Sequence, residues 1–298
     1  MKTLLKLDNV SKNYGKEKIL KNVGMEIKSG EIVGLVGPNG SGKSTIMKII
    51  CGLISKYDGS VRINGEDIRE MKCNYKKVGC LIENPGYYGS DTGFDNLKFC
   101  AKLSGAYSKM QIMDLAKHIG IDNALKKRVS KYSLGMKQKL GICMAMVGKP
   151  EILVLDEPTN GLDPSTIPAV RDMIKYSAEK MNCGVLVSSH ILSEIEAVCD
   201  RVYYIRNGGI VQKQDIRPDR KNIYSFSTDS PLKLIECLEK KGFKAAMCNE
   251  KVEAEMDESE AAGFLIYAVN EGIRIFVMDN KSLDLEREYR KIMEDIDE

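Results

Sequence analysis

The sequence has no uninterrupted apolar run approaching the ~18 residues that a membrane-spanning helix needs. Its opening, Met1-Lys2-Thr3-Leu4-Leu5-Lys6, lacks a long apolar stretch and a small-residue cleavage site, so it does not read as a secretion signal. An excess of charge is missing too. Lys and Arg total 45 against 42 Asp and Glu, a net charge of +3 that gives no electrostatic case for nucleic acid. The densest basic run, Lys126-Lys127-Arg128, reads as a solvated helix end. The nine cysteines are odd in number and contain no C-x-x-C pair. That argues against a disulfide framework or a zinc site and for reduced core thiols of a cytosolic protein, as with Cys143 beside Leu140, Met144 and Val147. Histidine is scarce, with two in the chain, and no internal repeat is present.

With 298 residues and 43% hydrophobic content, the chain can build one large domain and a small one. Apolar runs at 32–36, 78–82, 152–155 and 185–187 alternate with helical periods. Runs that are apolar on both faces suit strands of a covered parallel sheet, so the class is α/β. Residues 95–147 read as helix after helix, which places a helical subdomain at about 84–148 inside the sheet. A polar connector follows at 212–221, with Arg217-Pro218-Asp219-Arg220 in it. Beyond it the order is strand 223–227, helix 231–241, strands 243–248 and 252–256, helix 259–271 and strand 273–278. This βαββαβ order predicts a small α+β module of ferredoxin-like type, closed by an amphipathic helix at 283–293. The expected division is 1–216 and 217–298.

Residues 37–45 read Gly-Pro-Asn-Gly-Ser-Gly-Lys-Ser-Thr, a complete G-x-x-x-x-G-K-[ST] loop between an apolar run and a helix-forming stretch. Gly37, Asn39, Gly40, Ser41 and Gly42 can fold into a nest of N–H groups around phosphate oxygens, and the helix that opens near Thr45 adds its dipole. Lys43 is placed to reach the β- and γ-phosphates, and the Ser44 hydroxyl to bind Mg²⁺. The pattern predicts a nucleoside triphosphate. Downstream, Ile152-Leu153-Val154-Leu155 ends in Asp156-Glu157. Asp156 at a strand end can hold Mg²⁺, while Glu157 polarises the attacking water as general base; the plain alternative is a solvated acidic turn. His190, just past Val185-Leu186-Val187-Ser188-Ser189, falls where a γ-phosphate sensor is needed, although a histidine after a strand is often structural.

These motifs, in this order over roughly residues 2–216, resemble the ATPase subunit of ATP-binding cassette (ABC) transporters. The resemblance implies a phosphate-loop core of mixed sheet with flanking helices and an inserted helical subdomain. Residues 37–45 resemble Walker A, 153–157 resemble Walker B with its catalytic glutamate Glu157, and Asn160-Gly161-Leu162-Asp163 is similar to the D-loop. His190 is similar to the switch histidine. Tyr14, in Ser11-Lys12-Asn13-Tyr14-Gly15, matches the aromatic that stacks on adenine; as a bare residue it is also a strand-edge aromatic before a turn. Tyr132-Ser133-Leu134-Gly135-Met136-Lys137-Gln138 resembles the LSGGQ signature and departs from it at three places, Leu134 standing for a glycine and Met136 for the glutamine. Ser133 and Gly135 keep the groups that meet a γ-phosphate, and Ser133 is equally a good helix N-cap. Glu83 stands where the family has the Q-loop glutamine, as a hard-oxygen Mg²⁺ ligand or as an acidic turn residue before Asn84-Pro85-Gly86. Glu83 and the altered signature together resemble the bacitracin-resistance and lantibiotic-immunity exporters.

The resemblance implies ATP and Mg²⁺ as cofactors and head-to-tail pairing, in which Ser133, Gly135 and Asp163 serve the partner's nucleotide. One phosphate loop and one signature require a second cassette chain, most simply a homodimer. An integral-membrane permease is the other implied partner, with the 83–96 loop and Tyr87-Tyr88 as its contact, and the location is the cytoplasmic face of the membrane. A soluble cassette in translation or regulation is the alternative, but the tandem cassettes and basic linker expected there are missing. A DNA-repair cassette needs a long coiled-coil insertion, and no sustained heptads occur. A GTPase base reader fails at Asn280-Lys281-Ser282-Leu283, whose fourth residue is not Asp.

Overall fold

Gly15, at φ 59°, and Lys16 turn β1 (Thr3–Tyr14) back along β2 (Glu17–Lys28), because only a residue tolerant of positive φ fits so tight a hairpin. The computed structural model describes residues 2–71, 76–83, 85–216, 222–280 and 289. β1 also pairs with β4 (Asp58–Ile63), which pairs with the short β5 (Glu66–Asp67), giving an antiparallel sheet of order β2-β1-β4-β5.

The second sheet carries the site. β3 (Ile32–Val36), β6 (Val78–Leu81), β7 (Ile152–Asp156), β8 (Gly184–Ser188) and β9 (Arg201–Arg206) run parallel, and β10 (Gly209–Asp215) closes one edge antiparallel to β9. The order is β10-β9-β3-β8-β7-β6. β3, β7 and β8 are buried at every position, as apolar runs covered on both faces require. α1 (Lys43–Ile50) follows β3 directly and buries Ile46, Met47, Ile49 and Ile50 in one core with Leu5, Leu7, Ile27, Val154 and Leu186. Parallel strands end at one edge of the sheet, so the β3, β7 and β8 exits come together there.

The helical part holds α2 (Gly93–Leu103), α3 (Lys109–Ile119) and α4 (Leu134–Met146), entered through Thr92, Ser108 and Ser133 as N-caps. α5 (Ile167–Glu179) and α6 (Leu192–Val198) follow β7 and β8. Lys126, Lys127 and Arg128 are exposed in a turn between two 3-10 segments, Asp122–Ala124 and Val129–Lys131, not at a helix end.

The connector expected at 212–221 is strand as far as Asp215. Its polar residues pair as β10 on the sheet edge, where Tyr204 donates to Gln214 and Arg201 Nε reaches Asp215 at 2.8 Å. An edge strand with one wet face has no need of an apolar run. Residues 217–220 lie outside the described residues.

The chain divides into two compact units, Met1–Asp215 and Ile216–Glu298. The second unit contains β11 (Asn222–Thr228), α7 (Pro231–Lys240), β12 (Ala245–Cys248), β13 (Lys251–Met256), α8 (Glu258–Asn270) and β14 (Ile275–Asn280). Its sheet is antiparallel with order β12-β13-β11-β14, the arrangement of a ferredoxin-like module. Phe226, Leu234, Leu238, Val252, Met256 and Phe264 form its separate core. The helix expected at 283–293 lies outside the described residues, except for Tyr289, which is helical.

Of the described cysteines, Cys143, Cys183, Cys199 and Cys237 are buried thiols, whereas Cys80 and Cys248 are exposed, so the expectation of core cysteines holds for only part of the set. Burial pushes the Cys183 thiol up to about 12, which makes it inert as a nucleophile.

Candidate functional site

The loop between β3 and α1 is shaped by close approach. A Cβ on Gly37 would lie 2.2 Å from the Ile205 carbonyl oxygen, and one on Gly42, at φ 108°, would lie 2.6 Å from Leu20 Cδ2. Only glycine fits either place. Gly42 is also the N-cap of α1, whose first N–H groups have no partner within the helix and face the loop. Asn39 and Gly40 are exposed, and Thr45 is half-buried in the first helical turn. Ser41 is 3% exposed, and its Oγ has no partner among the described residues. A buried hydroxyl without a partner at the bottom of an N–H-rich loop fits a phosphate oxygen.

Lys43 is buried and folds back over the loop, donating from Nζ to the carbonyls of Gly37 at 2.7 Å and Pro38 at 3.0 Å. Burial lowers its pKa, while the charges of Glu157 and Asp156 act in the opposite direction. That electrostatic coupling brings the phosphate loop and the end of β7 into one site.

Ser44 and Asp156 meet there: Ser44 Oγ donates to Asp156 Oδ2 at 2.9 Å, and Ser188 Oγ donates to Oδ1 at 2.5 Å. Hydroxyl and carboxylate are hard oxygen donors, the type that Mg²⁺ takes. Among the described residues no group of three or more His, Cys, Asp and Glu gathers into a metal nest. Ser44 and Asp156 are the donors here that could hold such an ion.

Glu157 sits at φ 46°, an uncommon conformation for a residue with a side chain, and its N–H donates to Ser188 Oγ at 2.9 Å. Its Oε2 accepts from Asn160 Nδ2 at 3.1 Å and lies 3.2 Å from His190 Nδ1. The carboxylate is one-quarter exposed and the His190 ring about half exposed, 25% and 51% by side chain. A carboxylate held on two sides and open to solvent on the third can take a proton from water.

Glu83 is bonded to a lysine of the phosphate-loop helix. Its carboxylate pairs with Lys48 of α1 at 2.7 Å, on a backbone at φ 62°, and its side chain is 64% exposed. Tyr14 ends β1 and is 53% exposed.

Ser133 caps α4, accepting from Met136 N–H at 3.3 Å. A Cβ on Gly135 would lie 3.1 Å from Thr166 Oγ1. Asp163 accepts from Ser165 Oγ at 2.6 Å and Thr166 Oγ1 at 2.7 Å, and these two bonds hold its carboxyl below its ordinary value. Among the described residues, neither Ser133 nor Gly135 is bonded to the phosphate loop of its own chain. Sequence reasoning gave no role to Ser188 or Lys48, and it named Asn160 and Gln138 only as members of the D-loop and signature segments, without the contacts they make. Gln138 donates from Nε2 to the Pro158 carbonyl at 2.8 Å, tying α4 to the turn after Glu157.

The ABC transporter family model matches residues 20–160. The lantibiotic transport ATP-binding protein SrtF of Streptococcus pyogenes is 42% identical over 213 residues, 71% of this chain and 91% of that one. The chain belongs to the ABC transporter ATP-binding family. As such a cassette it is an ATPase. The bacitracin transport ATP-binding protein BcrA of Enterococcus faecalis is 38% identical over 217 residues, covering 72% of this cassette and 70% of that protein. The dimeric structure of a bacterial ABC transporter cassette superposes with a TM-score of 0.66 at 27% identity, over 72% of this chain and 99% of the other.

Proposed function

We propose that this cassette is the ATP-hydrolysing subunit of an exporter for an antimicrobial peptide or peptide antibiotic, paired with a second cassette and with a separate integral-membrane permease. The observation that carries the reading is Glu157, held between His190 and Asn160 one residue beyond Asp156. The transported class is supported by the lantibiotic and bacitracin relatives. In the step this site would perform, a water oxygen attacks the γ-phosphorus, the bond to the ADP oxygen breaks, and the water proton passes to Glu157. His190 orients the carboxylate and senses the γ-phosphate. The nest at 37–42, Lys43 and Thr45 bind the phosphates, and Tyr14 stacks on adenine. Ser44 and Asp156 would hold Mg²⁺, which when bound would supply positive charge against the phosphate oxygens.

Ser133, Gly135 and Asp163 would complete the site of the partner cassette, a homodimer in the simplest arrangement. Ser133 and Gly135 make no bond to their own phosphate loop among the described residues, which supports that assignment. The permease would hold the pair at the cytoplasmic face of the membrane, and no described helix is long and apolar enough to cross it. A neighbouring reading frame should then encode several apolar spans of about 20 residues each. Co-expression of both chains in a susceptible host should raise tolerance to bacitracin or a lantibiotic, and Glu157→Gln should remove that gain. Unchanged tolerance with both chains present would exclude this exporter class.

Glu83 tests the metal's surroundings. Its exposed pair with Lys48 costs only ~0–1 kcal/mol to break, so the carboxylate is free to turn toward a metal at Ser44 and Asp156. Glu83→Gln should retain ATPase activity and weaken the Mg²⁺ dependence modestly, since both side chains offer an oxygen. A Mg²⁺ titration identical in every respect would remove Glu83 from the metal's vicinity.

The module beyond residue 216 would support the dimer without supplying catalytic groups; its sequence holds no Gly-rich loop and no histidine. A chain ending at Lys221 should bind ATP with wild-type affinity and associate more weakly in sedimentation. Loss of nucleotide binding in a truncated chain that stays folded by circular dichroism would place the module in the active site.

A further inference from the structure

Lys12 is a buried cation, 9% exposed, with no carboxylate paired to it among the described residues. Its Nζ donates to the Lys56 carbonyl at 2.7 Å and lies over the Tyr14 ring, 4.6 Å from the centroid. Lys12 and Tyr14 lie two residues apart on β1, on either side of a register shift between Lys12 and Asn13. Burying an ammonium is costly unless polar or π partners offset the lost water. Here the partners are one carbonyl and one aromatic face. Lys56 belongs to the segment between α1 and β4, so the lysine bridges the end of β1 to the chain leaving the phosphate-loop helix.

We infer that Lys12 is a positioning residue for the nucleotide base: it fixes the Tyr14 ring from one face and presents the other to adenine. The inference rests on the reading of Tyr14 as the adenine platform. A cation on one face has two effects. It holds the ring plane, which an exposed tyrosine at a strand end otherwise leaves to rotate. It also draws π density toward itself, so the opposite face stacks better on an electron-rich purine. The anchor at Lys56 sets the platform's place relative to α1, so that base and triphosphate are gripped at a fixed separation.

The test compares ATP with tripolyphosphate, which lacks the base, by calorimetric titration of the full chain. Lys12→Gln keeps a donor for Lys56 and removes the charge. It should weaken ATP binding about three- to tenfold, the range of a partly buried cation–π contact, and leave tripolyphosphate unchanged. Lys12→Arg should restore ATP affinity, and in a Tyr14→Ala background Lys12→Gln should have no further effect. Equal losses for both probes, an unchanged ATP affinity, or a full Lys12→Gln effect without Tyr14 would each overturn the inference. If Lys12→Gln does not fold, Lys12→Met carries the same comparison. Should Tyr14→Ala bind ATP like the wild type, the platform reading falls and the inference with it; should Tyr14→Ala weaken ATP binding while Lys12→Gln does not, only the role of Lys12 falls.

Discussion

Glu157→Gln is expected to slow ATP hydrolysis by roughly 10²–10⁴-fold, the usual weight of a general base, while ATP binding persists. The amide has the carboxylate's size and keeps an oxygen for Asn160 Nδ2, now 3.1 Å away, so the turn stays in place. The backbone at φ 46° asks nothing of the side chain's charge, and the N–H bond to Ser188 Oγ is retained. What the amide cannot do is take a proton. The barrier should rise by ~3–5 kcal/mol with little change in thermal stability. On the proposed pairing of two cassettes around ATP, a variant that binds without hydrolysing should also accumulate as a dimer with MgATP in size exclusion. Phosphate release and column elution give the two readings. Near-normal turnover would remove Glu157 from its role and leave His190 without the group it is held against.

The parts of this fold legible in the sequence are those whose burial is complete. β3, β7 and β8 stand out as apolar runs because helices or the other sheet cover both faces. β1 and β2 do not. Register shifts at 7/10, 10/12 and 12/13 of β1, with Asn9 at φ 50° and Asn22 at φ 49°, break the period of two that would have marked them. β10 reads as a connector because an edge strand can be polar. In the site, Lys43, Ser44, Asp156, Glu157 and His190 were legible from motifs, and the structure gathers them. The groups that orient them were not: Ser188 bonds Asp156 across 32 positions and Lys48 bonds Glu83 across 35, and such pairings exist only once the strands are assembled. The cap at Ser133 was legible from residue type alone, since a hydroxyl before an apolar helix has a local job.

Lys43→Ala is expected to abolish ATP binding in the micromolar range while leaving the fold in place. A lysine read from its motif has the ligand as its partner, but here it also has two partners in the chain, the carbonyls of Gly37 and Pro38. Removing the ammonium therefore carries a structural cost of ~1–3 kcal/mol if those carbonyls are left buried and unbonded, less if water enters the loop. The binding cost is larger. The ammonium meets a highly charged triphosphate in a site where its own charge is otherwise strained by burial, which lowers its pKa, and where Glu157 and Asp156 repel the ligand. Losing the one buried cation of the loop leaves those carboxylates facing phosphate without compensation, a deficit that the backbone N–H groups alone do not cover. Nucleotide titration and thermal melting without nucleotide separate the two effects. A variant that loses its melting transition, or whose apo stability falls in proportion to its affinity, would mark Lys43 as a structural pin of the loop. A folded variant that still binds ATP would show that the nest and α1 alone hold the phosphates.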